Sequence, residues 1–406
     1  MTTPNAVPVL MFHSVADESR LAPHGWLQRL ATAPALLEAT FRQWKEQGWT
    51  TIGLEALSDW LDGQARIPDK SLAFTLDDGY LDNWVELDPL LSRFGFRAAI
   101  FVSTDYIDGH EGTRPQAGAA PANGVTWKGY LSANEMREME RRGTAEFGSH
   151  ACTHTWWFTS NRIVDWYRPE ISVERRESLL RFLWLNAHPD QKSSVLREMT
   201  AESIPWGTPI YEFAPALVAR RYVPDPAETD LAVDLVASHG GSAFFRDATW
   251  RETLDDAVRK FRSGRRPSDQ RETETEHVAR VRNELATSRA RLSEILGRDV
   301  RILSCPQGAM SPLVETIARD VGYRRWTMSV WRHRRLNRPG ASDRHIYRCG
   351  RGYELFGPHA SPSLLLRSHS LVLARYAGST WARGATAALT LAARLARWNG
   401  DDTATD

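Results

Sequence analysis

Two short motifs contain the residues whose types and spacing best suit catalysis. In SLAFTLDDGY, Ser71–Tyr80, an apolar run ends at the adjacent acids Asp77 and Asp78. In SHACTH, the histidines His150 and His154 lie four positions apart. A buried carboxylate without a partner is costly, so acids that end a buried strand need one. A metal ion is such a partner, and the two motifs together predict a metal-dependent hydrolase.

The two histidines can share an ion only if the chain turns between them. On an extended strand they would lie about 13 Å apart, too far for one ion. A turn or a helical start would bring both rings to one side. Two imidazoles and one carboxylate leave positions open for water and substrate, which is typical of catalytic zinc sites. Cys152 lies between the histidines and is an alternative ligand, but a small buried packing residue is its more common use.

The adjacent carboxylates suggest two roles. Side chains near a strand end point in different directions, so one aspartate can bind the ion while the other accepts a proton from water. The alternative is structural, because a D-D-G sequence before a helix is also typical of a turn or a helix cap.

Short strands that alternate with helices predict βαβ units and a parallel sheet. The polar clusters follow directly after strands, at the end where β/α barrels place their catalytic residues. The predicted strands are 7–13, 49–52, 71–76, 98–102, 145–148, 300–304, 325–328 and 345–348. The predicted helices are 34–47, 54–61, 83–94, 133–142, 273–296 and 313–321.

The pattern divides the chain into four parts. Residues 1–154 and 271–355 carry the β/α alternation and are predicted to form the two parts of one barrel. Between them, residues 155–270 are irregular and rich in Trp, Arg and Pro, which predicts an inserted, lid-like and mainly helical subdomain. Residues 356–406 are predicted to form a basic helical tail.

Composition excludes several classes of protein. The chain has 406 residues, 42% of them hydrophobic and 25% charged, which is typical of a packed globular protein. A net charge of +1 gives no support for nucleic-acid binding. Three scattered cysteines do not suggest a disulfide framework. The first residues lack the features of a signal peptide, so we expect a cytoplasmic location.

Taken together, the motifs resemble those of the polysaccharide deacetylase family, also called the NodB-homology or carbohydrate esterase family 4 domain. TLDDG and SHACTH are similar to the first and second motifs of that family. PVLMFHS, FRQWKEQGW, AAIFVSTDYI and ILSCPQG resemble its subgroup of biofilm-polysaccharide N-deacetylases. The resemblance implies a deformed (β/α) barrel of the NodB-homology type, here with the large insertion, and it covers about residues 7–154 and 273–350.

The resemblance also implies roles for individual residues. Asp77 would be the general base, and Asp78, His150 and His154 would hold a divalent ion, usually zinc. A backbone N–H at about Gln307 would help to stabilise the oxyanion, with a typical contribution of about 2.7–4 kcal/mol. The other residues predicted at the substrate or oxyanion are Pro306, Tyr80 and Arg348.

Two parts of the family pattern have no clean match. The third motif commonly has an arginine that orients the catalytic aspartate and a tyrosine at the position of Gln307, and neither is in place. Arg348 is a candidate for the orienting role. The late histidine that protonates the leaving amine is also missing, with His345 and His333 as candidates and His345 the one we select.

The tail from Leu355 to Gly400 has five arginines and no acidic residue. As a helix it would place Arg383, Arg394 and Arg397 on one side and Leu389 and Leu391 on an apolar surface. Such a helix can lie on an anionic membrane at the inner face of the cell, where a lipid-linked sugar would be within reach. The alternative is a terminal helix that packs on the barrel.

The sequence therefore predicts a hydrolase of carbon–nitrogen bonds other than peptide bonds, acting on the acetamide of an amino sugar in a glycan or lipid-linked precursor. Two alternatives remain open. One is a deformylase or other amidase on a related sugar, and the other is a barrel with degraded catalysis that binds glycans.

Overall fold

The computed structural model describes residues 6–118, 124–263, 271–329, 335–340, 344–350 and 361–389. The strands are β1 (Val9–Phe12), β2 (Ser14–Val15), β3 (Ala31–Thr32), β4 (Thr50–Thr51), β5 (Ser71–Leu76), β6 (Ala98–Val102), β7 (Ala145–Ser149), β8 (Trp156–Trp166), β9 (Pro209–Pro215), β10 (Ile302–Leu303), β11 (Arg325–Ser329) and β12 (His345–Arg348). The helices are α1 (Glu18–Leu21), α2 (Gly25–Gln28), α3 (Pro34–Glu46), α4 (Leu54–Leu61), α5 (Asp88–Phe94), α6 (Ala133–Arg142), α7 (Val173–Ala187), α8 (Val195–Glu198), α9 (Pro226–Ser238), α10 (Trp250–Ser263), α11 (Glu274–Leu296), α12 (Pro312–Asp320) and α13 (Pro362–Tyr376).

Seven parallel strands form a nearly closed barrel. They lie in the order β1, β5, β6, β7, β10, β11 and β12, and the short β4 pairs with the first residues of β5. The ends of this sheet meet, because Met11 N–H donates to the Cys349 carbonyl at 2.7 Å and Cys349 N–H donates to the Val9 carbonyl at 2.8 Å. The predicted fold class, a deformed β/α barrel, is confirmed.

Local sequence signals set the ends of the helices that surround the barrel. Ser132 and Glu135 form a capping box at the start of α6, and Thr273 and Glu276 form one at the start of α11. These two helices end at Gly143 and Gly297, whose positive φ a residue with a side chain adopts at higher cost. These signals explain why the predicted and observed bounds of α6 agree.

The five strands that matter for the site end at one rim of the barrel. Because neighbouring strands are parallel, the residues that follow β1, β5, β7 and β10, together with the last residue of β12, come together there. They are His13, Asp77 with Asp78, His150, Ser304 with Cys305, and Arg348.

The segment between β7 and α11 adds a second layer beside this rim. Strands β8 and β9 form an antiparallel ribbon that the prediction of a mainly helical insertion did not include. Helix α7 packs Leu179 and Leu183 into a core shared with Tyr80, Tyr106 and Tyr130 of the barrel. These contacts fix the segment against the loops of the rim. Its boundaries at 155 and 270 stay a prediction.

The described part of the tail packs on the barrel. On α13, the ring of His369 lies 3.3 Å from the Thr40 hydroxyl of α3, and Ser370 accepts a hydrogen bond from Gln47. Leu391, Arg394 and Arg397, on which the predicted amphipathic surface depends, lie outside the described residues, as does His333. Within the described ranges, no helix combines the length and apolar character required to cross a bilayer.

Close to the rim, Asp82 is a buried carboxylate without a cationic partner among its hydrogen bonds. It accepts hydrogen bonds from Val15 N–H at 3.0 Å, from the Asn83 amide at 2.8 Å and from the Ser14 hydroxyl. Burial raises the pKa of Asp82 to about 7, although these donors oppose the shift. The Asp82 carboxyl therefore keeps its proton to a higher pH in the folded state than in the unfolded chain.

We expect the Asp82 carboxyl to make the protein less stable as pH rises. A folded-state pKa above the unfolded one stabilises the protein fully below the unfolded value, and this contribution is lost as pH rises through about 7. Chemical denaturation measures the free energy of unfolding of wild type and of Asp82→Asn at pH 5 and at pH 8. From pH 5 to pH 8 this free energy should fall more in wild type than in the variant, by up to a few kcal/mol. Equal pH dependence in the two proteins would contradict the assignment.

Candidate metal centre and active site

One carboxylate and two imidazoles converge at the rim. The Oδ1 atom of Asp78 lies 3.0 Å from Nε2 of His154 and 3.4 Å from Nε2 of His150. One ligand atom from each residue lies within 4.8 Å of the other two. Asp78 and His150 are buried and His154 is partly buried. The structure therefore brings together the three residues predicted to hold the ion.

The loop conformation explains how histidines four positions apart can meet. Ala151 and His154 adopt left-handed φ angles of 57° and 38°, and the two imidazole centroids are 5.0 Å apart. Asp78, with φ of 75°, and Gln307, with φ of 53°, are the other non-glycine residues with positive φ in the described ranges. Such strain costs about 1–3 kcal/mol per residue and is concentrated at functional sites. The chain turns, as the metal hypothesis requires.

Helix α11 holds this loop in place. Glu284 accepts hydrogen bonds from the backbone N–H of Thr153 at 3.0 Å and from its hydroxyl at 2.7 Å. The Cys152 thiol donates to the Glu284 carbonyl at 3.1 Å and accepts a hydrogen bond from Thr104. Burial raises the pKa of Cys152 to about 12, so the thiol stays protonated. Cys152 is a packing residue here and does not join the ligand cluster.

The three residues fit a divalent cation. The buried Oδ1 of Asp78 accepts no hydrogen bond even though two imidazole nitrogens are close, as expected if all three atoms face one ion. His150 Nδ1 lies 2.6 Å from the Ser304 carbonyl, so Nδ1 carries the proton and the Nε2 lone pair is available. Ligands with bonds of about 2.0–2.1 Å in a tetrahedral site are separated by about 3.3 Å, close to the observed contacts.

Asp77 is held by a buried arginine from the far end of the chain. Arg348 Nη1 donates to Oδ1 at 2.6 Å and Nη2 donates to Oδ2 at 2.8 Å. Nη2 also donates to the Ser304 hydroxyl at 2.8 Å. Burial alone would raise the pKa of Asp77, but the guanidinium and the nearby His150 lower it below its usual value. Asp77 is thus an oriented carboxylate, and Arg348 occupies the orienting position that the third motif lacks.

Removing the guanidinium should destabilise the fold. In Arg348→Gln the Asp77 carboxylate stays buried without its ionic partner, and we expect the free energy of unfolding to fall by about 3–5 kcal/mol. Chemical denaturation measures this change. The double variant Arg348→Gln/Asp77→Asn removes both charges and should recover part of the loss. Equal effects of Arg348→Gln in the wild-type and Asp77→Asn backgrounds would show that the pair does not interact.

The loop after β10 forms another wall of the site. Pro306 is buried, whereas Gln307 is exposed and lines the cavity beside His154. The side-chain amide of Gln307 is 3.4 Å from His154 Nδ1 in one orientation; in the flipped orientation its oxygen accepts from Trp156 Nε1 at 3.3 Å. Gln307 thus lies in the cavity wall and Pro306 does not line the cavity. Contact of either residue with an oxyanion stays a prediction.

The structure places Tyr80 behind the site. Its side chain is buried and stacks on Tyr130 with ring centroids 5.4 Å apart. Burial, followed by the nearby Asp78 carboxylate, raises the pKa of Tyr80 well above its usual value. Tyr80 does not line the catalytic cavity, so this geometry supports a neutral neighbour of Asp78 and not the predicted contact with substrate.

His345 is not brought to the site. It is the first residue of β12, so it lies toward the opposite end of the barrel from Arg348, and its Nε2 is 3.0 Å from a Glu315 carboxylate oxygen. It does not line the cavity, and the geometry does not support the predicted role as general acid.

His13, to which the sequence analysis gave no role, follows β1 and does line the cavity. The available signal was its position directly after a parallel strand.

Comparisons with known proteins match these motifs. Residues 64–177 match the family described as Polysaccharide deacetylase. The chain is 26% identical over 151 residues to a Bacillus subtilis (strain 168) protein named "Putative polysaccharide deacetylase YxkH". That match covers 37% of this chain and 44% of the relative, so it spans less than half of the relative's length.

Solved structures of deacetylases are also similar to this chain. A de-N-acetylase from Aggregatibacter actinomycetemcomitans has 17% identity and a TM-score of 0.48, over 84% of this chain and 93% of that one. IcaB from Ammonifex degensii has 15% identity and a TM-score of 0.48, over 93% of this chain and 99% of that one.

The family match includes both Asp77 and Asp78 and the two histidines of the SHACTH motif. The resemblance to the polysaccharide deacetylase family is therefore confirmed over this part of the chain.

Proposed function

We propose that this chain, a member of the polysaccharide deacetylase family, is a metal-dependent carbohydrate N-deacetylase. Its substrate would be an N-acetylated amino sugar in a glycan or in a lipid-linked glycan precursor. The observation that carries the proposal is the convergence of Asp78, His150 and His154 beside a second carboxylate that is held separately. Zinc is the expected ion, since a site with two imidazoles and one carboxylate is common for it.

The residues around the cluster have distinct roles in this proposal. When bound, a divalent ion supplies Lewis acidity, which polarises an amide carbonyl and makes water more acidic. Asp77 is ionised at neutral pH because Arg348 keeps its pKa low, so it can accept a proton from the attacking water. Each oxygen of Asp77 accepts one hydrogen bond from Arg348 and keeps a second lone pair to accept this proton.

Other groups of the chain complete the reaction. The backbone of Gln307, turned by its left-handed φ, is the proposed donor to the oxyanion. Of the imidazoles that line the cavity in the described ranges, His13 is the one outside the ligand cluster. We assign it the proton that the leaving amine requires as the carbon–nitrogen bond breaks and acetate is released.

The direct test is acyl release from defined sugars. Purified protein with zinc should release acetate from N-acetylated hexosamine oligosaccharides, and a chelator should abolish this release until metal is added back. Matched N-formyl sugars test the alternative, because release of formate with little acetate would favour a deformylase. Protein that binds these sugars with metal present, but releases neither acid, would favour the glycan-binding alternative.

A further inference from the structure

Helix α7 places one arginine over the catalytic cavity. Arg181 lines a cavity of about 410 Å³ together with Asp77, Asp78 and His150. It also lines a neighbouring cavity of about 320 Å³. Arg181, His154 and Gln307 border both, so the two cavities meet at this side chain. A substrate whose reacting group lies at the ligand cluster is therefore within reach of Arg181 and of the second cavity.

Arg181 is partly buried and forms no ion pair with a carboxylate among the described residues. The guanidinium lies 4.0 Å from the ring centroid of Trp26, and its Nε atom is buried without a hydrogen bond. Its electrostatic neighbours are the hydroxyls of Tyr80, Tyr106 and Tyr130 and, with the smallest effect, Asp78. A guanidinium that is partly withdrawn from water and forms no ion pair gains from contact with an anionic ligand.

The charge of the whole cavity favours an anion as well. Asp77 and Arg348 neutralise each other as an ion pair, and Asp78 offsets Arg181. With neutral imidazoles, a bound divalent ion adds two positive charges to this balanced set. The loaded cavity is then cationic, and a cleft with one sign of charge attracts ligands of the other sign.

The second cavity provides a mainly apolar surface next to this charge. Its wall includes Trp156 and Phe213, whose rings stack with centroids 5.1 Å apart, and also Phe182 and Leu179. Aromatic faces suit the apolar face of a sugar ring, while Ser178 and Arg175 supply polar groups. Arg175 already lies 3.5 Å from an Asp165 oxygen and its side chain is 61% exposed, so Arg181 is the less exposed arginine of this cavity.

We propose that Arg181 is a specificity-determining residue that binds an anionic group of the substrate. The group is a carboxylate or a phosphate on the N-acetylated sugar or on the unit joined to it, and the wall formed by Trp156 and Phe213 contacts the neighbouring ring. This inference rests on the proposed function for the identity of the sugar. A carboxylate would indicate an acidic glycan, and a phosphate would indicate a sugar joined to a phosphorylated carrier.

Equilibrium binding tests the assignment independently of turnover. Full-length Asp77→Asn protein loaded with zinc is titrated calorimetrically with three probes: N-acetylglucosamine, N-acetylglucosamine 1-phosphate and N-acetylmuramic acid. We expect at least one anionic probe to bind at least about tenfold more tightly than the neutral sugar. Arg181→Gln, introduced in the same background, should reduce this preference to less than about threefold and leave the affinity for the neutral sugar unchanged.

Two further variants provide controls. Arg176→Gln changes a neighbouring arginine of α7 that lines neither cavity, and it should keep the full preference. Arg181→Lys keeps the charge and should keep part of it. Equal affinity for all three probes would overturn the inference, as would a preference that survives Arg181→Gln, since the anion would then contact the metal. Wild type is also assayed for acetate release from neutral sugars. If it releases acetate but shows no Arg181-dependent preference, only the inference about Arg181 fails and the proposed function stands.

Discussion

Replacing Asp77 with asparagine is expected to lower kcat for deacetylation by about 10³-fold or more while zinc stays bound. The structure assigns Asp77 to Arg348 and not to the ligand cluster, so its loss removes the proton acceptor without removing a metal ligand. General-base catalysis typically contributes about 10²–10⁴-fold. The experiment combines kcat for acetate release with the zinc content of the same purified sample.

The size of the effect depends on what else changes with Asp77. Asparagine has nearly the same shape and can still accept a hydrogen bond from Arg348, but it leaves that guanidinium without an ionic partner. Thermal denaturation must therefore show that the variant is folded. Full activity with full zinc occupancy would exclude Asp77 as the base, and loss of zinc together with activity would place it among the ligands.

Replacing His154 with alanine is expected to remove both metal and activity. The variant loses one imidazole from the cluster of three residues that could hold the ion. Loss of an outer-shell contact already costs about 10–100-fold in metal affinity, so loss of a ligand should cost more. Competition with a chromophoric zinc chelator measures the affinity. His188→Ala is a suitable control, because that imidazole bonds to the Trp184 carbonyl of its own helix, away from the cluster.

A difference in zinc content between the two inactive variants would be the strongest evidence that Asp77 and His154 have separate roles. Asp77→Asn should be inactive with metal, and His154→Ala should be inactive without it. If both variants lost zinc to the same extent, the structure's division between base and ligand would be wrong. Retention of wild-type zinc affinity by His154→Ala would instead remove His154 from the ligand set.

The local parts of the fold could be predicted from the sequence with good accuracy. The capping boxes at Ser132 and Thr273 and the apolar run of β5 are properties of a few neighbouring residues, so they survive in any tertiary context. The segment after the acid motif was harder. A helix was predicted over 83–94, but Asn83–Leu87 forms a π-helical turn before α5 begins. Such turns are rare and occur often at functional sites, and no simple sequence periodicity predicts them.

The long-range parts of the site could not be predicted in the same way. The contact between Asp77 and Arg348 joins residues 271 positions apart and exists because β12 closes the barrel beside β1. The sequence identified Arg348 only as a candidate. His345 was selected by residue type, yet three residues along a strand is enough to move a side chain from the catalytic rim toward the other end of the barrel.

The sequence also did not predict what the segment between β7 and α11 adds to the site. Its irregular pattern predicted a lid, but the antiparallel pairing of β8 with β9 depends on partners about fifty positions apart. Arg181 lies on a helix with both apolar and charged neighbours, and nothing in its local sequence distinguishes it from Arg175 or Arg176. Only the packing of α7 on Tyr80, Tyr106 and Tyr130 brings it to the site.

The central claim, that one divalent ion is held by Asp78, His150 and His154, is tested most directly by zinc stoichiometry. Full-length wild type, equilibrated with zinc and then freed of excess metal, should contain one zinc per chain by mass spectrometry of the metal. The triple variant Asp78→Asn/His150→Ala/His154→Ala, shown to be folded, should contain none. A wild-type protein with no more zinc than this variant would contradict the account.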